Sequence, residues 1–226
     1  MYSFDQRGWG RSVHADNEKG STGPTSQVLA DITSFLKPIV NSKEADAKAP
    51  LFMMGHSMGG NETLCYIAAG PQDVTSHIRG YLLNAPFLLL HADTRPSAFT
   101  VFAGRLVGKI LPRRQMLFPL DEKRLSRDPE IQRAFVEDKL CHDTSTLESL
   151  ASNLDRGIGL DNGKYVIPEG RGEGGKTRIW LSHGTKDMVV DHEPTERLFK
   201  RIQVKDKELK MYDGWYHKRT SMFSLA

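Results

Sequence analysis

The chain has 226 residues, 38% hydrophobic and 26% charged, a composition that excludes a disordered tail and allows one globular domain with a sizeable core. Its 31 basic and 28 acidic residues leave a net charge of +3, scattered along the chain, so no nucleic-acid partner is expected. Cys65 and Cys141 match neither a disulfide scaffold nor a zinc spacing, and no segment reads as a transmembrane span or signal peptide, which points to a reducing, cytoplasmic setting.

Met1-Tyr2-Ser3-Phe4 reads as a short strand, and residues 5–24, rich in Gly, Ser, Asp and Asn, as the loop after it. The chain thus opens inside a structural element and ends shortly after His217. A fragment or shortened gene model and a compact protein are equally compatible with that. Val28, Leu29, Ile32, Phe35, Leu36, Ile39 and Val40 recur at helical spacing, with Thr25 or Ser26 as the cap and Pro38 expected to kink or end the helix. A polar loop over 41–50 leads to Leu51-Phe52-Met53-Met54, a run that suits a buried parallel strand. Residues 55–60 make a sharp turn, 63–69 a helix stopped by Gly70-Pro71, and 78–83 the next strand. Residues 87–176 lack strand rhythm but hold helical stretches such as 99–111 and 128–140, and read as a helical insertion. A strand over 178–182, a helix over 194–202 and a strand over 208–212 follow. The alternation on either side of the insertion predicts an α/β fold with a mainly parallel sheet, built from residues 1–86 and 177–226.

Gly55-His56-Ser57-Met58-Gly59 fits G-x-S-x-G between a strand and a helix. A serine projecting from so tight a turn has a strained backbone. Side chains two positions either side are expected to collide with neighbouring backbone, hence Gly55 and Gly59. The backbone N–H of Met58 then faces a developing oxyanion. His56 is expected to point away from Ser57, in a structural role. A serine hydroxyl needs a general base, and in this architecture the order is serine, acid, histidine. Of the eight histidines, His217 fits best, in a loop after the last strand. Asp187, just past the strand over 178–182, is the acid that would orient the imidazole. Asp191 and Asp213 compete with it, but read better as a helix cap and as the shaper of the turn before His217.

Four motifs occur in order: Phe4-Asp5-Gln6-Arg7-Gly8-Trp9-Gly10-Arg11-Ser12, Gly55-His56-Ser57-Met58-Gly59-Gly60, His183-Gly184-Thr185-Lys186-Asp187 and Tyr212-Asp213-Gly214-Trp215-Tyr216-His217. With them the chain resembles the monoacylglycerol lipase branch of the α/β-hydrolases, grouped with the serine aminopeptidase S33 and lysophospholipase-like proteins. The first motif, with Lys19-Gly20-Ser21-Thr22-Gly23-Pro24-Thr25, is similar to fungal members. The resemblance implies Ser57 as nucleophile, Asp187 as acid, His217 as base, and residues 87–176 as a helical cap over an acyl-chain pocket. It implies a small lipid ester as substrate, monoacylglycerol first, and neither cofactor nor metal. A lysophospholipase- or aminopeptidase-type hydrolase and a shortened, catalytically silent remnant are the alternatives. Family members carry further strands ahead of the Asp5-Gln6-Arg7-Gly8 loop, and among them a His-Gly loop that supplies a second oxyanion donor. Neither precedes Ser57 in this sequence, so the fold is expected without those N-terminal strands and with a long exposed sheet edge. The tail over 218–223 also departs from the family's final helix.

Gly170-Arg171-Gly172-Glu173-Gly174-Gly175-Lys176-Thr177 fits the phosphate-loop pattern, but such a loop must open a helix. A strand follows here, so the segment reads as a flexible joint. Arg113-Arg114 and the basic run at 197–210 read as solvated faces, with peripheral attraction to a membrane or lipid droplet left open, as is the oligomeric state. Phe87-Leu88-Leu89-Leu90 reads equally as core packing and as the lining of a lipid-binding cap.

Overall fold

The computed structural model describes residues 1–42 and 49–218. Most of the expected polar loop over 41–50 and of the tail over 218–223 therefore lies outside the described residues. Helix α1 (Thr25–Asn41) buries Val28, Ile32 and Leu36, one apolar stripe at helical spacing. Its cap is Pro24, because Thr25 is already the first helical residue and engages Ser152 through its hydroxyl, 3.0 Å away. Pro38 does not end the helix, since Ile39 and Val40 pack on the core and hold the last turn.

There follow β1 (Leu51–His56), α2 (Met58–Ala69), α3 (Gln72–Thr75), β2 (Ile78–Asn84), α4 (Ala98–Ile110), β3 (Gln115–Leu117), α5 (Glu122–Leu125), α6 (Pro129–Glu137), β4 (Thr144–Thr146), α7 (Leu147–Asp161), β5 (Arg178–Gly184), α8 (Glu193–Arg201) and β6 (Asp206–Tyr212). Strands β1, β2, β5 and β6 lie side by side in that order, each neighbour parallel. Parallel neighbours require crossovers, which α2 with α3 and α8 supply. The long crossover from β2 to β5 holds α4 to α7 and the antiparallel pair β3–β4. That pair corrects the expectation of a stretch without strands. Three residues per strand are too few to show an alternation, and only the pairing of Met116 with Ser145 and its neighbours defines them.

The core gathers on α2 (Leu64, Tyr66, Ile67), β2 (Tyr81, Leu83), β5 (Ile179, Leu181) and Leu198 of α8. Strand β1 is parallel but not buried. Phe52 and Met54 are 49% and 54% exposed, because β1 forms an edge of the described sheet with one face uncovered. Nor do Met1 to Phe4 form a strand: no described strand pairs with them, and Phe4 packs on Phe35 of α1 at 4.5 Å between ring centroids. The glycine-rich segment before β5 is tied down rather than hanging as a joint. Arg171 donates to the carbonyls of Ile67 and Gly70, and Thr177 to that of Pro168.

Candidate active site

Strand β1 ends at His56 and α2 begins at Met58, so Ser57 alone makes the turn, at φ 53° and ψ −118°. Residues 58–60, expected in the turn, are already helical. A non-glycine residue at positive φ carries about 1–3 kcal/mol of strain. Three backbone bonds hold it: Ser57 N–H donates to Asn84 (3.1 Å), and the Ser57 carbonyl accepts from Asn61 (3.1 Å) and Phe87 (2.8 Å). Gly55 is needed for space, since a Cβ there would lie 2.6 Å from both the Gly59 carbonyl carbon and Thr63 Oγ1. The same expectation fails for Gly59, where a Cβ meets nothing within 4 Å among the described residues because the position faces outward at the helix start. Met58 heads a 12-residue helix, so its N–H is one of the four that a helix leaves without an intrahelical acceptor.

The loops after β5 and β6 are laced together. Thr185 N–H donates to Tyr212 O and Lys186 N–H to Trp215 O, both at 3.0 Å. The Thr185 hydroxyl donates to Asp213 Oδ1 (3.0 Å) and accepts from Gly214 N–H (2.8 Å). Asp213 thus shapes the turn, and Asp191 accepts from Glu193 N–H at the start of α8 while pairing with Arg95. A Cβ on Gly184 would lie 2.7 Å from the Trp215 carbonyl carbon, so glycine there lets the two loops close.

Closure brings Ser57, His217 and Asp187 together. Ser57 Oγ lies 2.9 Å from His217 Nε2, and His217 Nδ1 lies 2.7 Å from Asp187 Oδ2. A carboxylate can only accept, so Nδ1 carries a proton and Nε2 of the neutral ring offers its lone pair to the serine hydroxyl. Asp187 Oδ1 accepts from Val189 and Val190 N–H, each at 2.9 Å. Burial works to raise Asp187, but hydrogen bonds from His183 and His217 outweigh it and hold the carboxyl well below its ordinary range. Asp187 and His217 are buried while Ser57 is half-buried, the disposition a nucleophile with an enclosed base needs.

Sequence reasoning missed His183 as a partner of the acid. Its Nε2 donates to Asp187 Oδ2 at 3.1 Å and its Nδ1 lies 3.0 Å from Thr195 Oγ1. The four-residue spacing from His183 to Asp187 was the only signal. His56 packs edge-on against the His217 ring, and its Nε2 lies 3.3 Å from the His217 carbonyl. Burial, then the nearby charge of His217, pushes His56 down to about 3, so it is neutral near pH 7. A second unforeseen network ties α7 to the nucleophile turn. Buried Arg156 donates to Asn61 Oδ1 (2.8 Å) and pairs with Glu62 (3.4 Å), while Asn61 Nδ2 donates to Phe87 O (2.8 Å). Burial raises Glu62, against the pull of Arg156. Among the described residues no cluster of three or more His, Cys, Asp or Glu side chains is arranged to hold a metal ion.

The family model described as serine aminopeptidase, S33 matches residues 1–221. The monoglyceride lipase of Saccharomyces cerevisiae is 30% identical over 99% of this chain and 69% of its own length. A Schizosaccharomyces pombe relative is 29% identical over 96% of this chain, which spans only 54% of that protein. Among solved structures, a soluble variant of the S. cerevisiae monoglyceride lipase in complex with a substrate analogue superposes with a TM-score of 0.81 at 28% identity, over 95% of this chain and 68% of that one. The architecture is thus the α/β-hydrolase fold.

Proposed function

The chain belongs to the serine aminopeptidase S33 family, and from that premise we propose that it is a serine ester hydrolase that cleaves monoacylglycerols into fatty acid and glycerol. Ser57 Oγ attacks the acyl carbonyl as His217 Nε2 takes its proton. The Met58 N–H donates to the oxyanion as charge develops on it. Collapse breaks the ester C–O bond, and the imidazolium returns its proton to the departing glycerol oxygen. Water, deprotonated by His217, then attacks the acyl-enzyme and releases the fatty acid with Ser57 restored. Asp187 holds the imidazole and stabilises its charged form throughout. The observation that carries this reading is the unbroken hydrogen-bond chain from Ser57 Oγ through His217 to a charged Asp187. The names of the S. cerevisiae relatives support the choice of substrate.

The segment between β2 and β5 is read as the cap. It contains an apolar cavity of about 180 Å³ lined by Val101, Met116, Phe118, Leu147 and Leu154, a volume suited to part of an acyl chain. Its outer helix, α4, supports peripheral docking on a lipid surface. Phe99, Phe102, Leu106 and Ile110 recur on one helical face and are 79%, 65%, 54% and 73% exposed, with Lys109, Arg113 and Arg114 exposed nearby. No described helix is long and apolar enough to cross a membrane.

The test is a fluorophosphonate probe applied to the wild type and Ser57→Ala, followed by a panel of monoacylglycerols, lysophospholipids and peptide amides. Labelling that Ser57→Ala abolishes, with monoacylglycerols hydrolysed fastest, is expected. A folded wild type that takes no label would overturn the hydrolase reading, and preference for another member of the panel would overturn the substrate.

A further inference from the structure

Asp187 accepts from two imidazoles, and the reaction above uses only one of them. We propose that His183 and Thr195 form a positioning arm that fixes the Asp187 carboxylate in the orientation His217 needs, an inference that rests on the hydrolase reading.

His183 lies within β5 and Thr195 in the first turn of α8, and both are enclosed, at 1% and 0% exposure. Because a carboxylate only accepts, the proton in the 3.1 Å contact between His183 and Asp187 Oδ2 sits on Nε2. The neutral ring then has a lone pair on Nδ1, and the Thr195 hydroxyl, 3.0 Å away, is the donor that meets it. Asp187, which only accepts, sets the His183 tautomer, and the Thr195 hydroxyl, which can donate or accept, completes the other side of the ring and fixes its position.

The consequence appears in a count of donors. Asp187 Oδ1 takes two backbone N–H groups and Oδ2 takes two imidazole N–H groups, so the carboxylate has one orientation that satisfies all four. Without His183, Oδ2 would keep His217 alone, and the carboxylate would be free to pivot about its Oδ1 bonds to Val189 and Val190. That matters because His217 must present Nε2 to Ser57, then to the leaving oxygen, then to water, from a fixed ring position. A histidine buried only for packing would need neither a carboxylate on one nitrogen nor a hydroxyl on the other.

Thr195→Val keeps the shape and removes the donor, and Thr195→Ser keeps the donor. On the full chain, Thr195→Val is expected to lower kcat and the fluorophosphonate labelling rate about tenfold at unchanged KM, and Thr195→Ser to stay within about twofold of wild type. Wild-type kcat in Thr195→Val, or equal impairment in both variants, would overturn the arm. Nitrogen-15 spectra of the wild-type imidazoles test it independently of how Thr195→Val folds. A proton on His183 Nε2 is expected, and a proton on Nδ1 with bare Nε2 would sink it. A folded wild type that neither labels nor turns over would instead refute the hydrolase reading, and the tautomer would still decide the arm.

Discussion

Asp187→Asn puts the geometry to its hardest test, because the amide has nowhere to go. Its NH2 group must replace one carboxylate oxygen. At the Oδ2 position it would face the N–H groups of His183 and His217, and at Oδ1 those of Val189 and Val190. The backbone donors cannot change, so the cheaper arrangement leaves Oδ1 in place and forces both imidazoles into the other tautomer, with the nitrogen that faces the new NH2 unprotonated. The bond between His183 Nδ1 and the Thr195 hydroxyl would reverse, with Nδ1 donating, and His217 would carry its proton on Nε2, facing Ser57. Exchanging the charge-assisted bonds of the carboxylate for neutral ones costs about 1–3 kcal/mol, so the variant should fold with a loss of that order. Its kcat should fall about 10⁴-fold, the scale seen when a triad histidine is held in the wrong tautomer. Steady-state hydrolysis of a chromogenic ester reads the rate, and urea unfolding reads the stability. A folded variant that keeps more than about a tenth of wild-type kcat would refute this account of the site. Acid supplies a second readout. Asp187 titrates lower in the folded protein than in the unfolded chain, so its stabilising contribution is complete above the ordinary carboxylate value of about 3.9 and is lost as pH falls through that value toward the depressed one. The stability difference between wild type and Asp187→Asn should therefore narrow below about pH 4.

Three further outcomes are expected. Gly55→Ala should destabilise by about 2–3 kcal/mol and abolish labelling, whereas Gly59→Ala should fold and label normally, since only the first Cβ collides with neighbouring atoms; equal behaviour of the two in thermal melts and labelling would contradict the turn geometry. Arg156→Met leaves the buried Glu62 carboxylate with only its bond from Gln6 and the Asn61 carbonyl without its Arg156 donor, and should cost about 3–5 kcal/mol in urea unfolding, with Glu62→Gln in the same chain recovering part of it; a loss below about 1 kcal/mol would show that the pair does not couple α7 to α2. Phe102→Ser combined with Ile110→Ser should weaken flotation with anionic vesicles about tenfold or more while leaving fluorophosphonate labelling intact, and unchanged flotation would remove α4 as the docking face.

What the sequence disclosed, and what it hid, divides along range of interaction. The Ser57 turn was legible because a strand, a tight turn and a helix are written in adjacent residues. The positions of Asp187 and His217 were legible from chain order, since each follows a strand that ends at the same edge of the sheet. His183 was not, because its meaning depends on a hydroxyl in the next helix and on which ring nitrogen that hydroxyl meets. Arg156 was hidden for the same reason: its partners, Asn61 and Glu62, belong to α2, far back in the chain. The apolar run at β1 fits a buried and a half-exposed strand alike, and only the strand order leaves Phe52 and Met54 uncovered. Met1 to Phe4 have strand-forming residues but no partner backbone among the described strands, and composition cannot supply one.

The distance between nucleophile and acid is set by a strand that contributes neither. In the order β1-β2-β5-β6, β2 separates the strand before Ser57 from the strand before Asp187. Its carboxyl end is bonded to both sides: Asn84 O accepts from Ser57 N–H at 3.1 Å, Ala85 N–H donates to Ser182 O at 2.7 Å, and the Ser182 hydroxyl donates to Asn84 Oδ1 at 2.9 Å. Phe87 N–H then returns to the Ser57 carbonyl at 2.8 Å. Ala85, like Ser57, sits at positive φ, 43°, so the two non-glycine residues with that geometry among the described residues are on adjoining strand ends, joined through Asn84. Strain at one turn is thus braced by the other, and β5 anchors both. A residue such as Asn84, with no part in proton transfer, fixes how far Ser57 stands from the loop that carries Asp187, and His217 spans that gap with one nitrogen on each side.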